Sequence, residues 1–194
     1  MHGRSRGGPR VRPNTTPQLR RALFPPPNDQ GATVIPPSKR KSIRLTATAY
    51  RQNHPFSITV ATSRKYPWFS RYPKLAEDLA GTLDDISSAR CATLYAWCIM
   101  PDHLHLLLQD HDVVAFVRRV KGKMTVAARQ FEPNRKLWQR SFYDHAIRAE
   151  EGLFDVACYI FENPVRSNLV RSASDYPWSG SYVWPDWRDR IRPT

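Results

Sequence analysis

Two histidines one residue apart, His103 and His105, stand in the stretch Met100-Pro101-Asp102-His103-Leu104-His105-Leu106-Leu107-Leu108-Gln109. Side chains alternate along a strand, so both imidazoles project from one face while Leu104, Leu106 and Leu108 project from the other. At a rise of about 3.3 Å per residue their Cα atoms are about 7 Å apart, close enough for the rings to converge on one metal ion. The same pattern also fits an ordinary polar strand face, and the pair alone leaves both readings open. A second group lies about fifty residues on. Over 150–163, Leu153, Phe154, Ala157, Ile160 and Phe161 form one apolar face at helical spacing. Tyr159 points about 160° away from its centre, and Asn163, four residues later, stands beside it. This tyrosine is not used for packing within its own helix.

These residues need elements to hold them. Phe56 to Thr62 alternates and is β-branched, which predicts a strand. Leu75, Leu79, Leu83 and Ile86 predict an amphipathic helix over about 73–89. Leu94 to Met100 reads as a buried strand, Pro101-Asp102 as a tight turn, and His103 to Gln109 as the returning antiparallel strand. A helix capped by Asp112 follows, with Val113, Phe116, Val117, Val120, Met124, Ala127 and Phe131 as its stripe, and Glu132-Pro133-Asn134 ends it. Lys136 to Arg148 reads as a strand with its approach. The helix over 150–163 is expected to end at Asn163, because the residue before Pro164 tends to leave the α region. From 172 to 194 the chain is aromatic, proline-broken and irregular, and is expected to pack over the domain.

Composition narrows the partner. The chain has 194 residues, 30 Lys+Arg against 17 Asp+Glu, a net charge of +13 and a pI near 10.2, which favours a polyanion, nucleic acid ahead of membrane. Residues 1–44 hold ten basic residues, one acid (Asp29) and eight prolines, and read as a disordered basic arm. That arm is either a non-specific phosphate tether or a solubilising extension. The folded domain is placed at 45–171. Arg118, Arg119, Lys121 and Lys123 decorate the Asp112 helix, and Arg140 and Arg148 flank an aromatic run. With Arg166 they are the candidate DNA contacts, although a solvated charged face is the plainer reading of such a run. Three cysteines without a CxxC pair suggest a reduced, cytoplasmic protein. No apolar run approaches 18 residues, so no membrane span is expected. Neither GxGxxG nor GKS/T occurs, so no nucleotide cofactor is expected.

Four blocks occur in order: Met100-Pro101-Asp102-His103-Leu104-His105; Leu137-Trp138-Gln139-Arg140-Ser141-Phe142-Tyr143-Asp144-His145-Ala146-Ile147-Arg148; Tyr159-Ile160-Phe161-Glu162-Asn163-Pro164-Val165-Arg166; and Asp175-Tyr176-Pro177-Trp178-Ser179. Together they resemble the single-tyrosine HUH (His, hydrophobic, His) transposases, in particular the REP-associated tyrosine transposases. The resemblance implies an α+β, ferredoxin-like fold with a central antiparallel sheet. It implies cleavage and rejoining of single-stranded DNA at hairpins, with a divalent metal, Mg²⁺ or Mn²⁺. Carried over by position, His103 and His105 would be metal ligands, Tyr159 the nucleophile and Asn163 the third ligand. Relatives often have Gln at the Asn163 position, and many have Asn or Glu where Asp102 stands.

The chemistry suits those residue types. A tyrosine can form a covalent phosphotyrosine that stores the bond energy for rejoining. Two imidazoles and an amide are neutral ligands, so a metal they hold keeps its full charge for a phosphate oxygen and the leaving 3′-oxygen. Imidazole would equally attract Zn²⁺ or Ni²⁺. Two other readings remain: a catalytically silent hairpin-DNA-binding regulator, and a zinc hydrolase, against which stands the lack of HxHxDH or HExxH. The resemblance allows a monomer or a homodimer.

Overall fold

The computed structural model describes residues 54–148 and 151–191; the predicted basic arm lies outside them. Five strands form one antiparallel sheet: β1 (Phe56–Ala61), β2 (Thr93–Met100), β3 (His103–Gln109), β4 (Tyr143–Ala146) and β5 (Ser179–Gly180), in the order β4-β1-β3-β2-β5. Six α-helices lie among the described residues: α1 (Trp68–Arg71), α2 (Pro73–Arg90), α3 (Val113–Ala128), α4 (Leu153–Phe161), α5 (Asn163–Arg166) and α6 (Trp187–Arg190). This is the expected α+β architecture.

Alternation sorts the sheet into two faces. Phe56, Ile58, Val60, Leu104, Leu106 and Leu108 are all buried, and α2 and α3, packed on each other, complete that layer. On the opposite face, β1 leaves Ser57, Thr59 and Ala61 half-exposed, whereas β2 buries Ala96, Cys98 and Met100. The cover there is α4, which packs on β2 and β3 through Ala157, Ile160 and Phe161. The histidine face is thus roofed over β2 and open over β1. A bulge between Leu94 and Ala96 shifts the register of β2. From Ala96 on its side chains are buried on both faces, with α2 packed on one and α4 on the other.

Three elements differ from the sequence expectation. The strand expected over 136–148 is confined to Tyr143–Ala146, plus a single bridge from Trp138 to Thr62. The α4 helix stops at Phe161, and Asn163 opens α5 rather than closing α4. Pro164 sits in the first turn of that short helix, where its missing N–H costs nothing. The segment expected to be irregular supplies β5 and α6, because Tyr176, Trp178 and Trp187 are buried. Trp187 stacks on Phe161 at 3.9 Å between centroids, and the Tyr176 hydroxyl donates to the Ile99 carbonyl at 2.7 Å, tying this segment to α4 and β2.

Candidate active site

The hairpin turn that carries the histidines is pinned from outside. The Asp102 carbonyl accepts from the Thr62 backbone N–H at 2.9 Å and from the Thr62 hydroxyl at 2.8 Å, and the Pro101 carbonyl accepts from the Phe69 N–H at 3.0 Å. Thr62 is fully buried. The register then sets His103 between Ala61 and Met100, and His105 between Thr59 and Cys98. Both rings lie on the face that α4 half covers.

The two imidazoles converge: His103 Nε2 and His105 Nε2 are 2.9 Å apart, with the rings edge to face. Their outer nitrogens are engaged elsewhere. His103 Nδ1 lies 2.5 Å from Asp102 Oδ1, and His105 Nδ1 lies 3.0 Å from Thr59 Oγ1. With Nδ1 as the donor in each ring, the two Nε2 lone pairs face one point and repel. A cation held between them would satisfy both; with the Thr59 hydroxyl donating to His105 Nδ1 instead, His105 Nε2–H donates to His103 Nε2. A single octahedral ion bonded at 2.0–2.1 Å would hold two adjacent ligands about 3.0 Å apart, so the pair fits such an ion.

Charge supports the same assignment. Burial, then the neighbouring His103 and Arg166, pushes the His105 pKa down to about 3, so its ring is neutral and able to act as a ligand. Burial would push Asp102 up, but the hydrogen bond and charge of His103, then Lys65, hold it below the usual carboxylate range. An ionised carboxylate behind a ligating imidazole fixes tautomer and orientation.

Tyr159 stands on the outer side of α4 and is 61% exposed. Arg166 is built around it. Its guanidinium lies 4.0 Å above the Tyr159 ring, donates to the Tyr159 carbonyl, and pairs with Glu162 at 3.1 Å. The same positive charge is felt by His105 and Cys98 on the histidine face. Asn163 donates from its amide nitrogen to the Tyr159 and Ile160 carbonyls, both at 3.1 Å. Its amide oxygen accepts nothing among the described residues. No three His, Cys, Asp or Glu side chains among those residues gather around one point. A third protein ligand would have to be of another type, as the amide of Asn163 is.

The structure therefore forms two groups, His103 with His105 on the sheet and Tyr159 with Asn163 and Arg166 on and after the helix that packs on β2 and β3. Arg166, expected among the DNA contacts, has its guanidinium against Tyr159 and Glu162 and stays partly exposed. Thr59 was missed, since only the strand register brings it to His105 from 46 residues away. Among the other basic candidates, Arg118, Arg119, Arg140 and Arg148 are exposed. Lys123 lies 3.8 Å from Asp85, and Lys121 donates to the Gln139 and Arg140 carbonyls at 2.8 and 3.2 Å. All three cysteines are free thiols, and burial pushes that of Cys98 up to about 12. No helix among the described residues is long and apolar enough to cross a membrane.

Residues 50–162, more than half of the chain, match the family model described as transposase, IS200 like. A Haemophilus influenzae protein provisionally named a REP-associated tyrosine transposase is 36% identical over 98 residues, covering 43% of this chain and 56% of that protein. The Escherichia coli REP-associated tyrosine transposase is 32% identical over 88 residues, covering 43% of this chain and 51% of that protein. The chain thus spans about half the length of these two relatives. A solved structure of a REP-associated tyrosine transposase bound to a REP hairpin superposes with a TM-score of 0.59 at 24% identity. The superposition covers 74% of this chain and 85% of that one, a likeness of fold.

Proposed function

The chain belongs to the IS200-like transposase family, and on that premise we propose that it cuts and rejoins single-stranded DNA beside a hairpin of the REP type. The carrying observation is the convergence of His103 and His105 on the sheet face bordered by the tyrosine helix. In this reading the Tyr159 hydroxyl attacks a backbone phosphorus. The bond to the 3′-oxygen breaks, the phenolic proton is released, and a 5′-phosphotyrosine and a free 3′-hydroxyl result. Attack of a 3′-hydroxyl on that linkage reverses the step and joins strands without a nucleotide cofactor.

His103 and His105, with the amide oxygen of Asn163, would hold Mg²⁺ or Mn²⁺. When bound, the ion supplies charge that polarises a phosphate oxygen and stabilises the leaving oxygen. The chain's own residues do the positioning. Asp102 and Thr59 orient the imidazoles, α4 presents Tyr159 to solvent, and Arg166 braces the tyrosine ring from one side.

The test is a denaturing gel with labelled hairpin oligonucleotides carrying single-stranded flanks, in Mn²⁺ or Mg²⁺. A slow-migrating adduct is expected, absent in Tyr159→Phe, in His103→Ala/His105→Ala and in EDTA. Hairpin binding without any adduct would instead indicate a silent binding protein.

A further inference from the structure

A shallow groove of one charge sign lies where α3 meets the chain between Lys136 and Arg140. Lys121, Arg129, Lys136 and Arg140 line it with Val126 and Trp138, and no acidic side chain does. Lys121 is half-buried, and burial and the charge of Lys136 lower its pKa. Like charges have thus been gathered in a concavity without a compensating carboxylate. Such an arrangement destabilises the free protein and focuses field on an incoming anion.

The groove adjoins the histidine face. Gln139 N–H donates to the Ala61 carbonyl at 2.9 Å, and Ala61 is the β1 partner of His103. Two such spacings of about 4.8 Å place the rim about 10 Å from His103, within a few nucleotides of chain.

A second feature points to the same corner. Ser63 N–H donates to the Leu137 carbonyl at 2.8 Å, and the next two residues, Arg64 and Lys65, are exposed with φ of 56° and 53°. Two consecutive non-glycine residues in the left-handed region are strained, and such strain persists only where surroundings enforce it. Thr62 enforces it, through its hydroxyl bonds to the Tyr66 and Asp102 carbonyls. Two acids neighbour this region: Glu132, already occupied by the Tyr66 and Tyr72 hydroxyls and Arg135, and Asp102, which is engaged by His103 and also feels the Lys65 charge.

We propose that this corner is a backbone-reading DNA site, in which Arg129, Lys136 and Arg140 in the groove, with Arg64 and Lys65 at its rim, hold the phosphates of the single strand running off the histidine face. It rests on DNA being the substrate, and it reads charge rather than sequence, since its polar contacts come from cations. Arg118 and Arg119 lie outside the groove and are not part of it.

The test measures hairpin affinity of the full chain against salt, with single-stranded flanks of zero, four and eight nucleotides. The variants are Arg129→Gln/Lys136→Gln/Arg140→Gln, Arg64→Ala/Lys65→Ala, and Arg118→Gln/Arg119→Gln/Lys123→Gln as an equal-charge contrast. For flanked hairpins the groove triple is expected to lower the slope of log K against log salt by about 2, at about 0.7 per single-strand phosphate. The rim pair should lower it by about 1.4 on the same scale, and the contrast triple by less than half the groove value. The flankless hairpin should not distinguish groove from contrast. Equal slopes for the groove and contrast triples on flanked DNA would overturn the proposal. If these slopes hold but the wild type forms no adduct, the cleavage reading fails and the site stands. If the wild type binds no hairpin, both fail.

Discussion

Replacing Asp102 with asparagine should weaken metal binding without unfolding the protein. Asp102 lies 2.5 Å from His103 Nδ1, its side chain is only 23% exposed, and it stays ionised despite that burial. Its charge makes Nδ1 the protonated nitrogen and leaves Nε2 of His103 directed at Nε2 of His105. Asparagine keeps the shape and can still accept through its amide oxygen, so only charge and tautomer bias are lost. Changes behind a ligating histidine cost about 10–100-fold in affinity. The second brace, Thr59 on His105, is untouched, so the lower part of that range applies: about 10–30-fold, or about 1.4–2 kcal/mol. Calorimetric titration with Mn²⁺ measures it directly. Adduct yield should recover at saturating metal, and the melting temperature without metal should change by less than about 2 °C. Metal affinity within twofold of wild type would refute the orienting role. A deficit that saturating metal does not restore would refute the separation of orientation from chemistry.

Other perturbations have equally definite outcomes. Arg166→Ala removes the cation above Tyr159 and should slow single-turnover adduct formation about 5–10-fold at saturating DNA, a cost of about 1–1.4 kcal/mol. Arg166→Lys should recover less than half of it, since an ammonium cannot lie flat on the ring and also bridge the carbonyl. The Tyr66 hydroxyl above all, with Arg135 and Tyr72, holds the Glu132 pKa at about 2, below its ordinary 4.5. That contribution is therefore complete above pH 4.5 and is lost as pH falls from 4.5 towards 2. Glu132→Gln should cost about 1–2 kcal/mol at pH 7 and flatten the acid limb of a melting-temperature profile. Gly180→Ala would place a methyl 2.6 Å from the Trp97 ring, and should cost about 1–3 kcal/mol by chemical denaturation.

The sheet, the hairpin and the two long helices were legible because their apolar periods are clean, and Asp112 caps α3 as its type predicts, accepting from the Ala115 N–H at 2.8 Å. What sequence could not show depends on contacts between distant segments. Thr59 meets His105 through strand register alone. The stretch before β4 stays irregular because its backbone meets only the last residue of β1 and the turn after it, through the Ala61 carbonyl, the Thr62 bridge and the Ser63 N–H. Arg166 stands seven residues after Tyr159, but the seating of its guanidinium on the Tyr159 ring depends on the chain restarting as α5 after Glu162, which periodicity does not show. The segment after 172 looked irregular because its order comes from buried aromatic rings rather than from any period.

The central claim is that Tyr159 becomes covalently joined to DNA. Trypsin releases residues 149–166 as one peptide, and Tyr159 is its sole tyrosine. After reaction with a hairpin oligonucleotide and nuclease digestion, mass spectrometry of that peptide should show a nucleotide linked through phosphate to Tyr159. An adduct mapped to any other peptide, or cleaved DNA with this peptide unmodified throughout the reaction, would contradict the account.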